Sequence, residues 1–356
     1  MASKKRVLIS ASGTAGHLLP AQELAEILLE KDIDVFFAAY DLDNKKTFNK
    51  EKYFYKNITA SSFNKKKIFS FIYKTFIGFV QSFFFMLKYK PKVVVGFGSY
   101  HTFPVILAAS ILRKKIVLFD SNTTLGEVNN FFKKKAKYVA HQFSIDIDLK
   151  NSVFVKTLPW IEKKTDDSFF KTISYKKEKF LFLIFGGSQG ADIINQNFLK
   201  ILKDLKKEID FEAVHITGDT NVSEIKKNYE NENIKAYVKE YEVNLADFFK
   251  IADLVIARSG ASTICELIYF EKPSILVPFK RAKKDHQFYN ALFMQNLNCS
   301  ILIKEDDINE EILLEKIKLI VGENKNKHSF FVDNIKKYKE NNKTQKHLAD
   351  LIEEIL

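Results

Sequence analysis

Phe180-Leu181-Phe182-Leu183-Ile184-Phe185-Gly186-Gly187-Ser188-Gln189-Gly190-Ala191 decides the fold. A short apolar strand runs straight into a glycine-rich turn that opens a helix. A strand that turns so sharply needs residues without a Cβ, and the bare backbone N–H groups at the helix start form an anion site. The same pattern stands near the N-terminus, where Val7-Leu8-Ile9 leads into Ser12-Gly13-Thr14-Ala15-Gly16-His17. One such turn says little, because most glycine turns in open α/β sheets are structural. Two of them, separated by about a domain length, point to two nucleotide-type βα units and to a two-lobed enzyme with a cleft between the lobes.

Outward from these turns the chain alternates. Strands at 7–10, 34–39, 93–96, 116–119 and 137–140 are interleaved with helices at 17–31, 68–89, 103–112 and 126–134. Around Leu158-Pro159 the pattern breaks, and the charged segment Glu162 to Lys179 reads as a linker. Alternation then restarts, with strands at 180–185, 211–217, 234–238, 253–257 and 274–277 and helices between and after them. Such alternation marks a parallel sheet with crossover helices. The predicted fold class is therefore α/β, with two doubly wound, Rossmann-like lobes at 1–160 and 161–356, the last helix having the option of packing back on the first lobe.

The 356 residues suit two lobes, and 46% hydrophobic with 28% charged residues describes a globular chain. Two cysteines, Cys265 and Cys299, argue against a disulfide framework, and the N-terminus lacks a secretory apolar region, so a reducing cytoplasm is expected. Charge is uneven. Residues 1–160 hold 25 Lys+Arg against 12 Asp+Glu, a surplus of 13, and the remainder carries 31 against 32. A basic first half implies an anionic partner (a membrane surface, a nucleic acid or a diphosphate substrate) or merely the lysine-rich composition of the whole chain.

Residues 65–90 form an aromatic apolar stretch with Lys65, Lys66 and Lys67 at one end and Lys88 and Lys90 at the other. Lys74 and Gln81 interrupt it, and a spanning helix would divide the first lobe, so a bilayer crossing is disfavoured. Two readings stay open: a helix lying in a membrane interface with its lysines at the headgroups, or a buried core helix. Lys133, Lys134, Lys135 and Lys137 extend the same basic surface or form a solvated face.

A third strand, turn and helix start lies at Ala252–Glu266, with Arg258-Ser259-Gly260-Ala261-Ser262-Thr263 at its turn. Ligands collect at the carboxyl ends of strands in open α/β sheets, so the loops after 185, 257 and 278 should line one pocket. A diphosphate would sit on the donors of Ser188 and Ser259–Thr263. Glu266 either takes both hydroxyls of a ribose or is an ordinary first-turn glutamate, and Gln287 either bonds a sugar or merely begins a helix.

Five motifs then resemble, in order, the MurG family of bacterial glycosyltransferases. They are Gly13-Thr14-Ala15-Gly16-His17-Leu18-Leu19-Pro20, Val95-Gly96-Phe97-Gly98-Ser99-Tyr100, Gly186–Ala191, Arg258–Thr263, and Val277-Pro278-Phe279 with His286-Gln287-Phe288-Tyr289-Asn290-Ala291. The resemblance implies a GT-B fold and transfer of N-acetylglucosamine from UDP-N-acetylglucosamine to lipid I, giving lipid II of peptidoglycan. It also implies a peripheral enzyme on the cytoplasmic side of the inner membrane, whose first lobe takes the undecaprenyl-diphosphate acceptor and whose second takes the UDP-sugar. The donor contacts it implies are Thr14, Ala15, Gly16, Asn122, Ser188, Ala261, Ser262, Thr263, Ile264, Cys265, Glu266 and Gln287. Departures exist. The family has Gly at Ala15, His-Glu-Gln-Asn where this chain has Phe119-Asp120-Ser121-Asn122, an arginine at Ile161, and an apolar residue at Glu242.

An inverting displacement needs a base near the acceptor hydroxyl. His17, at the tip of the first turn, is the first candidate and Asp120 the second, while His17 has the alternative of bonding the acceptor diphosphate. Neither cofactor nor metal is expected: Asp146-Ile147-Asp148 falls in a charged loop, and His101, His141 and His215 lack ligand spacing. Two further readings are a UDP-N-acetylglucosamine 2-epimerase-like isomerase, which shares the architecture, and a non-catalytic membrane-associated scaffold, suggested by Ile161. A nucleic-acid partner is disfavoured because the aromatic residues run together instead of standing singly among basic ones.

Overall fold

The structure, a computed structural model, describes residues 5–13, 15–45, 47–63, 65–143, 149–156, 168–173, 175–187, 190–322 and 326–356. The chain divides into two compact units, Met1–Trp160 with Thr344–Leu356, and Ile161–Lys343.

The first unit opens with β1 (Arg6–Ser10), α1 (Ala15–Glu30), β2 (Asp34–Ala39), β3 (Phe54–Asn57), α2 (Ile68–Tyr89) and β4 (Val93–Gly96). It continues through α3 (Phe103–Ile111), β5 (Lys115–Asp120), α4 (Glu127–Phe132), β6 (Tyr138–His141) and β7 (Ser152–Phe154). Among the described residues its seven strands run β3-β2-β1-β4-β5-β6-β7, every pair parallel. Alternate residues of each inner strand serve opposite faces. Val7, Ile9 and Val95 pack with Leu18, Ala21, Leu24 and Leu28 of α1, whereas Leu8 and Val94 pack with Phe85, Met86, Val105 and Ile106 of α2 and α3. Cover on both faces explains why Val93-Val94-Val95 is apolar without a break.

The second unit carries α5 (Ser168–Thr172), β8 (Phe180–Phe185), α6 (Asp192–Lys200), α7 (Leu202–Glu208), β9 (Phe211–Ile216), α8 (Val222–Asn231), β10 (Ala236–Lys239) and α9 (Leu245–Ile251). Then come β11 (Leu254–Ala257), α10 (Ala261–Phe270), β12 (Ser274–Leu276), α11 (His286–Asn296), β13 (Ser300–Leu302), α12 (Glu310–Val321) and α13 (Asn326–Asn342). Its parallel sheet runs β10-β9-β8-β11-β12-β13, repeating the strand order of the first. In each sheet the order reverses once, between β1 and β4 and between β8 and β11. Ligands of open α/β sheets bind at this switch, outside the carboxyl ends of the strands. Each glycine-rich turn leaves an inner strand at that point.

The chain then returns. The last helix, α14 (Leu348–Glu353), buries Leu348, Ala349, Leu351 and Ile352 in the core built on α1. The second unit therefore stops at Lys343 rather than running to 356.

The stretch at 65–90 resolves into one half-docked helix. Gly78, Ser82, Phe85 and Met86 of α2 are buried at helical spacing. A Cβ on Gly78 would stand 1.9 Å from the Thr59 carbonyl, and Gln81 Oε1 accepts the Thr59 N–H at 2.7 Å, so the glycine and glutamine are what let the helix lie against the chain. The opposite face is open: Phe69, Tyr73 and Phe76 are 86%, 66% and 64% exposed. A buried core helix is therefore excluded. By length and composition alone the helix reaches the apolarity of a membrane span, yet only 17% of its most apolar window is buried.

The strands β3, β7 and β13 went unforeseen because each is three or four residues long and sits at a sheet edge. The single helix expected between the strands at 180–185 and 211–217 divides into α6 and α7 at Ile201, and α5 occupies part of the expected linker.

Candidate active site

In the first unit the turns after β1 and β4 lie side by side. Gly13 and Gly98 adopt φ of 105° and 73°, values that a side chain resists. A Cβ on Gly13 would come within 3.3 Å of Ser99 Oγ and 3.7 Å of His17 Cδ2, and one on Gly98 within 3.9 Å of His17 Cε1. The half-buried His17, in the first turn of α1 with Ala15 and Gly16, is thus seated between the two turns. Asp120, at the end of β5, is 4% exposed. Its carboxylate accepts the Gly126 N–H at 2.7 Å, Asn129 Nδ2 at 3.1 Å and the Asn122 N–H at 3.3 Å. Burial raises its affinity for a proton and these hydrogen bonds oppose the rise. Asp120 thereby folds the loop that carries Asn122.

In the second unit the turn after β8 is forced by contact. A Cβ on Gly186 would meet Ala191 N at 2.1 Å, and one on Gly190 would meet the Thr217 carbonyl at 2.9 Å. Behind it lies a buried polar chain: His215 bonds Tyr229 Oη at 2.9 Å and Asn195 Oδ1 at 3.0 Å, while Asn195 Nδ2 donates to the Thr217 carbonyl at 2.9 Å. Full burial lowers the His215 pKa to about 3, so the ring is neutral and the network keeps one protonation state.

Next to this turn, Gly260 caps α10, whose first N–H groups point outward as every helix start must. Along it Ala261, Thr263, Ile264 and Cys265 are buried, and Ser262 and Glu266 are half-buried. Ile264 and Cys265 thus direct their side chains into the core, and the Ile264 N–H is closed onto the Gly260 carbonyl at 3.0 Å. The donors of this run are the amides of its first turn. Burial lifts the Glu266 carboxyl to about 8 and raises the Cys265 thiol.

Gln287 joins this group through α11. Its Oε1 accepts the Phe279 N–H at 2.9 Å and its carbonyl accepts the Ser259 hydroxyl at 2.7 Å. Arg258 Nη1 donates to the Val277 and Pro278 carbonyls at 3.1 and 3.2 Å and to Glu305 Oε2 at 2.9 Å, with its guanidinium over the Phe279 ring. Arg258 thus braces the loop after β12.

The structure therefore places His17 at the switch point of one sheet, with Asp120 and Asn122 at the end of the next strand but one, β5, and Ser262 and Glu266 at the switch point of the other, with Gln287 joined to it through Ser259. Thr14, Ser188, Ile161 and Asp146–Asp148 lie outside the described residues. Sequence reasoning missed Ser99, Asn129, Asn195 and the Arg258–Glu305 pair. The signal for the Asn195 network was present in His215, a polar residue inside a strand whose neighbours Val214 and Ile216 are apolar, which a parallel sheet tolerates only with a partner. Among the described residues no group of three or more His, Cys, Asp or Glu is placed to hold a metal ion.

Comparison with known proteins agrees with this geometry. Residues 7–141 match the glycosyltransferase family 28 N-terminal domain and residues 181–354 the glycosyltransferase family 28 C-terminal domain. The chain is 37% identical over 330 residues, 89% of its length and 88% of the relative's, to the UDP-N-acetylglucosamine--N-acetylmuramyl-(pentapeptide) pyrophosphoryl-undecaprenol N-acetylglucosamine transferase of Protochlamydia amoebophila. The protein of the same name from Rickettsia bellii is 32% identical over 99% of this chain and all of its own length. In fold, the crystal structure of Acinetobacter baumannii MurG superposes with a TM-score of 0.79 at 22% identity, covering 99% of both chains. With two doubly wound parallel sheets, paired glycine turns and relatives matched over most or all of their length, the chain belongs to the MurG family of GT-B glycosyltransferases.

Proposed function

We propose that the protein transfers N-acetylglucosamine from UDP-N-acetylglucosamine to lipid I, yielding lipid II and UDP. The observation that carries this reading is the identity of 37% across 89% of the chain with a transferase named for that reaction. The isomerase and scaffold readings find no support among these relatives.

The first unit takes the lipid-linked acceptor and the second takes the UDP-sugar. The acceptor hydroxyl forms a bond to the anomeric carbon as the bond to UDP breaks on the opposite face, and its proton passes to His17. Of the common side chains, imidazole is the one that exchanges a proton most readily near neutrality, which suits it to this step. Asp120 positions the loop at Asn122 instead of acting as the base, since its carboxylate is turned inward onto three N–H groups. Charge growing on the departing diphosphate is met by the first-turn amides of α10 and by its dipole. Glu266 receives the ribose hydroxyls and Gln287 the sugar.

The open face of α2, with Lys66, Lys67, Lys88 and Lys90 at its ends, supports a peripheral seat on the cytoplasmic membrane, where the acceptor's lipid tail resides. The direct test is transfer of labelled sugar from UDP-N-acetylglucosamine to lipid I with UDP release. His17→Ala is expected to lower kcat about 10²- to 10⁴-fold, and Glu266→Ala to raise mainly the donor KM. Absence of both labelled lipid and released UDP with the wild-type protein would refute the reading.

A further inference from the structure

Ser99 stands just beyond β4 with φ 71° and ψ 144°, beside a corner of backbone space that is essentially reserved for glycine. Glycine at this position would remove the strain, so the serine is costly to the fold unless its hydroxyl is used. That hydroxyl is held with care. His101 Nδ1 lies 3.1 Å from Ser99 Oγ, and the His101 backbone N–H donates to the same oxygen at 3.4 Å. The imidazole is itself fixed, stacked on Tyr40 with ring centroids 4.8 Å apart and planes 11° from parallel, its Nε2 3.4 Å from Ser62 Oγ. Tyr40 is tied to the first glycine turn, because its carbonyl accepts the Ser12 hydroxyl at 2.7 Å. The bracing thus runs from Ser12 through Tyr40 and His101 to Ser99. It delivers Ser99 Oγ to within 4 Å of the point above Gly13 that His17 Cδ2 also approaches.

The chemistry of this oxygen is specific. A backbone N–H already donates to it, and with His101 as the Nε2–H tautomer, Nε2 facing Ser62 Oγ, the serine's own hydrogen goes to Nδ1 and a lone pair is left to face outward. An outward lone pair suits a partner that can give a hydrogen, such as a sugar hydroxyl, and does not suit an ionised phosphate oxygen.

We propose that Ser99 accepts a hydrogen bond from a hydroxyl of the acceptor sugar beside His17, and that His101 is the positioning residue that aims it. This rests on the transferase reading above. Ser99→Gly separates function from architecture, because relief of strain and loss of the contact have opposite signs. Its Tm is expected to rise while kcat/KM for lipid I falls about tenfold, the scale of one hydrogen bond to substrate, with the donor KM and UDP affinity by calorimetry unchanged. Ser99→Ala, which lacks only the hydroxyl, should show the same loss of kcat/KM. His101→Phe keeps the stack on Tyr40 but removes both nitrogens. It should lose activity similarly, and the Ser99→Gly/His101→Phe double variant should be no worse than Ser99→Gly alone. Wild-type transfer together with an unchanged acceptor kcat/KM in Ser99→Gly, or losses that multiply in the double variant, would overturn this inference and leave the transferase reading intact. Absence of wild-type transfer would sink both.

Discussion

At the scale of single residues, contact and charge make separate demands. Gly186 and Gly187 are neighbours in one turn but differ in kind. A Cβ on Gly186 would overlap backbone atoms of Gly190 and Ala191 at 2.2 and 2.1 Å, whereas one on Gly187, at φ 80°, would meet nothing within 4 Å. Gly186→Ala is therefore expected to cost more than about 4 kcal/mol, a severe core disruption, and Gly187→Ala only about 1–2 kcal/mol of backbone strain. Urea unfolding of the two variants measures the difference, and equal midpoints would contradict it. Glu266 presents the electrostatic case. Its carboxyl titrates near 8 when folded, against 4.5 as the ordinary value. The folded state holds the proton more tightly, so this group's contribution to stability is complete below the ordinary value and is lost as pH rises toward 8. A ribose bound to the carboxylate must expel that proton, so the donor KM should fall as pH rises through about the same window. Glu266→Gln should flatten both the Tm and the KM profiles. A wild-type donor KM independent of pH would remove Glu266 from the ribose site.

At the scale of elements, α2 is the informative one. Its docked stripe is set by Gly78, Ser82, Phe85 and Met86, and its open stripe contains Phe69, Ile72, Tyr73 and Phe76 at positions i, i+3, i+4 and i+7. Each exposed apolar side chain contributes about 1.5–3 kcal/mol when withdrawn from water, and each lysine about 1 kcal/mol beside anionic lipid. Replacing Phe69, Ile72, Tyr73 and Phe76 by Ser should abolish sedimentation with anionic vesicles and leave Tm within about a degree, because none of the four supports the core. Retained vesicle binding would place the membrane contact elsewhere. This helix also shows what the sequence could and could not disclose. Its limits were legible from the lysines at both ends, but which face is covered depends on Gly78 meeting Thr59, a contact between segments that no local pattern encodes. The same holds for the site. The glycine turns were legible because backbone geometry demands them locally, as at Gly13 and Gly186. The seating of His17 against Gly98, and the inward turn of Asp120 onto Gly126 and Asn129, arise from strands that pair across long stretches of chain.

At the scale of the whole molecule, the chain builds most of the first unit, makes the second, and returns to finish the first with its last residues. That return is well fastened. Leu348, Leu351, Ile352 and Ile355 are buried in the core around α1, Lys31 pairs with Glu353 at 2.7 Å, and the Lys156 N–H donates to the Lys346 carbonyl at 3.0 Å. The surface ion pair contributes little, about 0–1 kcal/mol, so the attachment is mainly apolar. Losing four buried Leu and Ile side chains, at about 2–5 kcal/mol for each truncation in a core, exceeds the about 5–15 kcal/mol that a whole domain has to spare at the upper end and rivals it at the lower. Ending the chain at Lys343 should therefore unfold the first unit while the second keeps its own sheet and core. Calorimetry of the shortened protein should show the second unit's transition alone, with calorimetric UDP binding retained, lipid I transfer abolished and the α1 amides losing protection from hydrogen exchange. A shortened protein that melts like the full chain would mean that the N-terminal core closes without α14.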